Sequence, residues 1–222
     1  MSLLDYPGKV AMVLFASKCN FRCPFCHNRE LVLGQDITQL PQDEVLQELQ
    51  QRQGFIDGVV ISGGEPTIHN GLAEFIGKIK ETGLAVKLDT NGYKPDVLKE
   101  LFKEKLLDYV AMDIKTSWGK YSKAAGIEVD CERLKESVEL IKASGAQYEF
   151  RTTCVPGLVD ESDIEEISRL TGEGGLFTLQ QFQPKDTLDA SYQQITPYLP
   201  ARLQYFLALA RRNSSNCRLI GA

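Results

Sequence analysis

Long apolar runs are missing from this 222-residue sequence, and histidine and tryptophan are scarce, with two and one residues respectively. No stretch approaches the roughly 20 apolar residues that a membrane-spanning helix needs, so we expect no membrane segment. Basic residues do not dominate either, because the formal net charge is −5. A nucleic-acid-binding surface normally carries a basic excess, so we expect no nucleic-acid partner.

We also predict no export signal. The apolar run Val10–Ala16 follows Asp5, Pro7 and Lys9 and has no small-residue cleavage site after it, so it predicts a strand. We therefore expect a cytoplasmic protein. The hydrophobic content of 43% and charged content of 25% are typical of a globular protein, and the length suits one substantial core. We predict a single domain over residues 1–222.

Short β-rich runs alternate with helical stretches along the chain. The predicted strands are Lys9–Ser17, Gly58–Ser62, Leu84–Asp89, Tyr109–Ile114, Tyr148–Val155 and Leu176–Gln183. The predicted helices are Pro41–Gln53, Gly71–Thr82, Pro95–Lys105, a helix capped by Asp130 that runs to Ser144, a helix opened by Asp160, and Pro200–Arg212. This alternation predicts an α/β fold of parallel βαβ units, either an open doubly wound sheet or a partial, six-unit (β/α)6 TIM-like barrel.

Unusual polar motifs follow five of the predicted strands. They are a cysteine loop, Ser62–Pro66, Asp89–Gly92, the pair Asp113 and Lys115, and the pair Arg151 and Thr153. Active sites of parallel α/β folds gather at the carboxyl ends of the strands. Five motifs in that one layer predict a single site.

Three of the six cysteines, Cys19, Cys23 and Cys26, lie within eight residues, in a loop spanning residues 18–28. Thiolates select iron–sulfur clusters or zinc over hard cations. A closed structural site needs four protein ligands, whereas three cysteines on a cubane cluster leave one iron open to a substrate or cofactor. We therefore predict a 4Fe–4S cluster. The scattered Cys131, Cys154 and Cys217 are interpreted as ordinary thiols.

Zinc is the alternative, with His27 as a fourth ligand. His27 directly follows Cys26, and adjacent residues rarely reach one tetrahedral ion together. The other histidine, His69, follows a different predicted strand. Zinc is therefore the less favoured interpretation.

The segment KCNFRCPFCHN, residues 18–28, resembles the signature of radical S-adenosylmethionine (SAM) enzymes, including the aromatic Phe25 before the third cysteine. In that family the open iron binds the amino and carboxylate groups of SAM. An electron from the cluster then releases a 5′-deoxyadenosyl radical. The resemblance implies that Phe25 and His27 lie at the cofactor.

The segment Gly63-Gly64-Glu65-Pro66 resembles the GGEP motif of the same family. The resemblance implies that Gly63, Gly64 and Glu65 contact the methionine amino group of SAM. An ordinary strand-to-helix turn, with Glu65 near a helix N-terminus, is the alternative.

Asp89-Thr90-Asn91-Gly92 and Asp113-Ile114-Lys115 resemble segments of the enzymes that activate glycyl radical proteins. The resemblance implies a Na⁺ or K⁺ site formed by the residues Asp89, Thr90 and Asp113 and the carbonyl of Ala111. Two carboxylates on adjacent strands repel each other unless a cation or proton lies between them, so such a site is physically reasonable.

The resemblance further implies that Lys115 contacts the methionine carboxylate, although Lys115 could instead pair with Asp113 or Asp89. Arg151 and Thr153 match a family strand beside the sulfonium and adenosine. A family histidine after the sixth strand has no counterpart in Gln181–Lys185. No cysteine lies between Cys26 and Gly63, so we expect one cluster only.

By this resemblance the chain is a radical SAM oxidoreductase that activates a glycyl radical enzyme. The nearest groups are the pyruvate formate-lyase activating enzymes and the anaerobic ribonucleoside-triphosphate reductase activating proteins, the second being favoured. The expected partners are a glycyl radical enzyme as protein substrate and a flavodoxin or ferredoxin as electron donor. The alternatives are a radical SAM enzyme with a small-molecule substrate and, more distantly, a non-catalytic metal-binding module.

Overall fold

A seven-stranded, all-parallel sheet forms the centre of the molecule, which is described over residues 1–35 and 37–221 by a computed structural model. The strands are β1 Ala11–Ala16, β2 Gly58–Gly63, β3 Ala85–Thr90, β4 Tyr109–Asp113, β5 Gln147–Cys154, β6 Leu176–Gln181 and β7 Cys217–Ile220. The helices are α1 Arg29–Leu33, α2 Gln42–Gln51, α3 Leu72–Glu81, α4 Pro95–Lys103, α5 Tyr121–Ala125, α6 Cys131–Ala143, α7 Glu161–Thr171 and α8 Pro200–Ala210.

Strand order decides between the two predicted architectures. The seven strands lie in chain order from β1 to β7, and each pairs in parallel with the next. A doubly wound sheet reverses its strand order partway along, whereas a barrel does not. The fold is therefore the partial barrel, and the α/β prediction is confirmed. The seventh strand, Cys217–Ile220, was not predicted; it spans only four residues and its burial alternates without a continuous apolar run.

The outer face of the sheet carries the main core. Side chains alternate between the two faces of a strand, so Val86 and Leu88 of β3 pack on one side while Lys87 and Asp89 lie on the other. The helices bury their apolar stripes against this outer face; the fully buried members include Ile76, Leu98, Val138, Ile164 and Phe206. This packing holds the strands in register and so fixes the positions of their carboxyl ends.

Three helix starts agree with the sequence signals. Asp130 caps α6 by accepting from the Glu132 N–H at 3.1 Å. Asp160 forms a reciprocal capping box with Asp163 at the start of α7, and Pro200 occupies the first turn of α8. Local capping chemistry therefore explains where these helices begin.

The inner, concave face of the sheet carries charged side chains within the strands. Lys87 forms ion pairs with Asp89 and, at 4.0 Å, with Glu149, and both Lys87 and Glu149 are buried. Arg218 of β7 reaches Glu149 Oε2 at 2.9 Å. Buried charges require such partners, so each of these charged side chains has an oppositely charged neighbour inside the barrel. Within residues 1–35 and 37–221, no helix has the length and apolarity that crossing a bilayer requires.

Candidate active site

A cavity of about 280 Å³ opens at the carboxyl ends of the strands. All three clustered cysteines line it, together with side chains or backbone from the segments after β2, β3, β4 and β5. The predicted site residues that line this cavity are Cys19, Cys23, Phe25, Cys26, His27, Gly63, Gly64, Glu65, Asp89, Thr90, Asp113, Lys115, Arg151 and Thr153. A larger hollow of about 740 Å³ lies between β1 and α2, but no cysteine lines it. We therefore locate the site in the smaller cavity.

Ala111 is the one predicted site residue that does not line the cavity. It lies on β4 in register with Asp89 and is fully buried two residues before Asp113. Ala111 packs in the small apolar cluster on the concave face with Val60 and Tyr109. The expected role of the Ala111 carbonyl as a ligand of Na⁺ or K⁺ remains a prediction.

The cysteine loop is anchored by Phe21, which is 1% exposed and whose ring lies 5.4 Å from that of Tyr93 and 6.4 Å from that of Tyr121. Arg22 N–H donates to the Ala125 carbonyl at 2.7 Å, just before Gly126. Gly126 has a positive φ of 68°, and a Cβ there would lie only 2.1 Å from the Arg22 carbonyl oxygen. Glycine is therefore required where α5 ends against the cysteine loop.

Gly63, the last residue of β2, and Gly64, which follows it, hold the same loop from the other side. A Cβ on Gly64 would lie 1.9 Å from the Lys18 carbonyl oxygen. Gly64 N–H donates to the Ala16 carbonyl at 2.8 Å and Glu65 N–H to the Lys18 carbonyl at 2.9 Å. The turn is thus a close backbone contact with the start of the cysteine loop.

Glu65 is fully buried and its carboxylate is saturated by donors from the chain. Oε1 accepts from the hydroxyls of Thr67 at 2.6 Å and Thr90 at 2.7 Å, and Oε2 accepts from the Asn91 N–H at 2.6 Å. Burial raises the pKa of Glu65, and these hydrogen bonds oppose that rise. Glu65 therefore fastens the turn after β2 to the turn after β3.

The two aspartates that were expected to need a cation between them are bridged by Arg151. Its Nη1 lies 3.2 Å from Asp89 Oδ2, and its Nε lies 2.7 Å from Asp113 Oδ1. Lys87 pairs with Asp89, and Lys115 Nζ lies 3.0 Å from Asp113 Oδ2. The guanidinium and two ammonium groups thus supply the positive charge that the carboxylates require.

This charge pattern fixes the protonation of Asp113. Burial alone would raise the pKa of Asp113, but Arg151 and then Lys115 outweigh it and hold the pKa well below its usual range. The same pairing holds the pKa of Lys115 above its ordinary value despite the opposing effect of burial. Asp113 is therefore a carboxylate, and Lys115 a cation, at neutral pH.

The donor set at the cysteine loop fits a cluster better than a single metal ion. Within the described part of the chain, no three Cys, His, Asp or Glu side chains converge as ligands of one ion. The corners of a cubane are separate iron atoms, so its cysteines need not meet at one point. Burial raises the pKa of Cys23 to about 12 and also raises the pKa of Cys19, so these thiols need the positive charge of bound iron to ionise.

The loop after β6 closes over the cysteine loop. His27 Nδ1 lies 2.6 Å from the Lys185 carbonyl oxygen, which makes that nitrogen a donor. Leu188 N–H donates to the Cys26 carbonyl and Asp189 N–H to the Pro24 carbonyl, both at 2.9 Å. His27 thus joins the cysteine loop to the loop after β6 through Nδ1.

Several polar residues in or beside the cavity were not among the predicted site residues. Gln180 of β6 lines the cavity and its Oε1 accepts from the Thr153 hydroxyl at 3.3 Å. Asn91 lines it after β3, and Asn20 contacts both Asn91 and Cys19. Asn20 and Asn91 lie inside the motifs at residues 18–28 and 89–92, which was the available signal, whereas Gln180 lies inside a predicted strand and carried none.

Comparison with known proteins assigns this architecture to a class. The sequence profile of the radical SAM superfamily matches residues 13–170, which is most of the chain. The chain belongs to the radical SAM superfamily and is an enzyme. Membership implies a 4Fe–4S cluster and SAM as cofactors.

Two relatives and one solved structure refine the comparison. A Methanocaldococcus jannaschii protein with the provisional name of glycyl-radical enzyme activating enzyme is 38% identical over 88% of this chain and 82% of its own. A Pyrococcus horikoshii protein named as a GTP 3′,8-cyclase is 29% identical over 72% of this chain and 51% of its own. The structure of Streptococcus suis SuiB bound to S-adenosylmethionine aligns with a TM-score of 0.73 at 17% identity, over 96% of this chain.

The chain spans about half the length of SuiB, 51% of that chain. At 17% identity the likeness to SuiB shows the fold alone. The likeness supports the partial-barrel architecture and does not indicate the substrate or the partner.

Proposed function

We propose that this enzyme activates a glycyl radical enzyme by generating a radical at a backbone glycine of that partner. The cavity in which three cysteines meet motifs from four successive strands carries the radical chemistry of this proposal. The relative that is 38% identical, and named as a glycyl-radical enzyme activating enzyme, supports the class of substrate. When bound, the cluster and SAM supply a 5′-deoxyadenosyl radical, which removes a hydrogen atom from the glycine.

In this proposal Cys19, Cys23 and Cys26 ligate the cluster and leave one iron open for SAM. The positive charge of Lys115 suits the methionine carboxylate, and the carbonyls of the Gly63–Gly64 turn suit its amino group. Phe25 and His27 flank the cofactor beside the cluster. Their place on the cavity wall supports these roles.

Arg151 and Thr153 line the part of the cavity that we propose for the sulfonium and adenosine. Gln180 stands beside Thr153 at the end of β6. An amide offers both a donor and an acceptor to a nucleoside. We propose that Gln180 makes the adenosine contact for which the sequence lacks the family histidine.

A Na⁺ or K⁺ ion beside Asp89 and Asp113 remains a finer prediction. Arg151 already bridges both carboxylates, and the Thr90 hydroxyl donates to Glu65, so an ion would have to displace or share these contacts. Equal rates of SAM cleavage in sodium-only and potassium-only buffers, and in a buffer with neither ion, would argue against it.

The partner in our proposal is an anaerobic ribonucleoside-triphosphate reductase, with a flavodoxin or ferredoxin as electron donor. Reduced thiols and an iron–sulfur cluster suit the reducing cytoplasm, where we place the enzyme. A small-molecule substrate is the second candidate, because a relative at 29% identity is named as a GTP 3′,8-cyclase. The cavity motifs serve the cofactor in either case, so only substrate tests separate the two.

The first test is anaerobic reconstitution with iron and sulfide, reduction, addition of SAM, and quantification of 5′-deoxyadenosine. We expect about four irons per chain, as one 4Fe–4S cluster requires. Cys19→Ala should abolish cluster binding and product, whereas Cys131→Ala, the same change on α6 outside the cavity, should leave both unchanged. Stoichiometric zinc without iron uptake would overturn the cluster assignment.

The second test adds the purified reductase and follows the glycyl radical by electron paramagnetic resonance. A radical signal that depends on SAM and on Cys19 supports the protein substrate. Abundant 5′-deoxyadenosine without a radical on the reductase would favour another partner or a small-molecule substrate.

A further inference from the structure

Two asparagines form an amide pair beside Cys19. Asn20 follows Cys19 in the cysteine loop, and Asn91 follows β3. Asn91 Nδ2 donates to Asn20 Oδ1 at 2.7 Å and lies 3.8 Å from Cys19 Sγ. The amide pair therefore brings a nitrogen donor to one of the three proposed cluster ligands.

The orientation of the Asn91 amide is fixed by its own backbone surroundings. Asn91 Oδ1 accepts from the Tyr93 N–H at 3.0 Å, so the opposite end of the amide, Nδ2, must face the cysteine loop. Asn91 N–H is held by Glu65 Oε2 at 2.6 Å, and the residue is 5% exposed. The side-chain amide, held at Oδ1 by the Tyr93 N–H and at Nδ2 by Asn20, cannot turn away from Cys19 without breaking one of these bonds.

Cys19 differs from the other two cysteines in this respect. Its sulfur accepts from the Phe21 N–H at 3.3 Å and faces Asn91 Nδ2. Within residues 1–35 and 37–221, neither Cys23 nor Cys26 has a side-chain amide at hydrogen-bonding distance from its sulfur. Asn20 Nδ2 is buried and has no partner among those residues, which is unusual for a native polar group.

We propose that Asn91, oriented by Asn20, donates a hydrogen bond to the Cys19 sulfur and so raises the reduction potential of the cluster. The inference rests on the cluster assigned above, and not on the identity of the substrate. Hydrogen bonds to the sulfurs stabilise the more negative, reduced state of an iron–sulfur cluster. Asn91 is thus a positioning residue that makes reduction of the cluster easier.

The test measures the midpoint potential of the reconstituted cluster, without SAM and without any partner. Asn91→Asp keeps an oxygen for the Tyr93 N–H but replaces the donor by an acceptor. Asn91→Leu removes the donor without adding charge. We expect both variants to make the midpoint potential more negative by at least 59 mV. For a one-electron reduction this corresponds to a tenfold smaller equilibrium constant for reduction of the cluster.

Asn28→Leu is the matched control, because Asn28 lines the same cavity but its Nδ2 donates to the Gly63 carbonyl at 3.3 Å and not to a sulfur. It should leave the potential within error of the unmodified enzyme. Iron content and the spectrum of the reduced cluster are recorded for every variant.

Three outcomes overturn the inference. The first is an unchanged potential in Asn91→Asp and Asn91→Leu with full iron content. The second is an equal shift in Asn28→Leu. The third is failure of both Asn91 variants to load iron while Asn28→Leu loads normally, which assigns Asn91 to the structure of the loop. None of these outcomes depends on whether a glycyl radical forms, so the proposed substrate is tested separately.

Discussion

At the scale of single residues, the arrangement of charge around Arg151 dominates the site. The Arg151 guanidinium contacts the carboxylates of Asp89 on β3 and Asp113 on β4. Lys115 forms a further ion pair with Asp113. Removing one partner of such a pair leaves an uncompensated charge, which destabilises the folded state. The unfolded chain, in which Asp113 has an ordinary pKa, provides the reference for a pH test.

We expect Asp113→Asn to lower the free energy of unfolding of the metal-free protein by about 2 kcal/mol at pH 7, below the range for fully buried pairs because Asp113 is 30% exposed. The native pKa of Asp113 lies below the unfolded value of about 3.9, so its contribution is complete above about pH 5 and is lost as the pH falls further. The difference between variant and unmodified protein should therefore shrink between pH 4 and pH 2. Urea unfolding at several pH values measures it.

Asp96→Asn is the control for this experiment, since Asp96 is 86% exposed and lies 3.6 Å from Arg133. Such a surface pair contributes little, so we expect a change within about 0.5 kcal/mol at every pH. A constant difference between Asp113→Asn and the unmodified protein down to pH 2 would contradict the proposed protonation state.

The sequence predicted which residues line the cavity better than it predicted their contacts. Cysteine spacing and the segments after the strands identified the cavity lining, because each motif lies at the same edge of the sheet. The ion-pair partners of Asp89 and Asp113 could not be predicted from the sequence in the same way. Two aspartates on adjacent strands suggested a missing cation, and only the three-dimensional register of β3, β4 and β5 brings Arg151 between them.

At the scale of elements, the sequence did not predict that the loop after β6 contacts the cysteine loop. Three contacts join this loop to the cysteine loop, through the carbonyls of Pro24 and Cys26 and the ring of His27. Contacts between irregular segments depend on where the chain turns, which periodicity does not encode. The short strand β7 was missed for a similar reason, although its Arg218 reaches the buried Glu149.

Leu188→Pro tests whether the loop after β6 retains the cluster. Proline removes the N–H that binds the Cys26 carbonyl, which leaves that acceptor unpaired at a cost of about 1–3 kcal/mol. We expect iron to leave the reconstituted protein at least tenfold faster under anaerobic chelation, as followed by the absorbance of an iron chelator.

Ala190→Pro is the matched control two residues away. Ala190 is exposed and opens a short 3₁₀ turn after Asp189, whose ψ of 116° suits a residue before proline. It should leave the rate of iron loss unchanged. Equal rates in the two variants, both close to that of the unmodified protein, would show that the loop after β6 does not hold the cluster.

At the scale of the whole molecule, the two faces of the sheet differ in polarity and in role. The outer face is an apolar core under the helices, and the concave face carries the ion pairs and the cavity. Alternation along the strands, a property of sequence, predicts that division. The cavity itself is assembled from segments about 160 residues apart along the chain, from Cys19 to Gln180, so a ligand within it would add contacts between distant parts of the fold.

Binding of SAM should therefore stabilise the whole fold. A ligand at about 100 times its Kd raises the stability of the native state by about 2.7 kcal/mol. For a domain of this size that corresponds to a rise in Tm of roughly 5–10 °C. Anaerobic thermal unfolding of the reconstituted enzyme, with and without SAM, measures this rise.

A variant with alanine at Cys19, Cys23 and Cys26 should show a much smaller rise relative to its own baseline, because the open iron is then missing. An equal rise in both proteins would mean that SAM binds without the cluster, and no rise in the reconstituted enzyme would mean that the cavity is not its site.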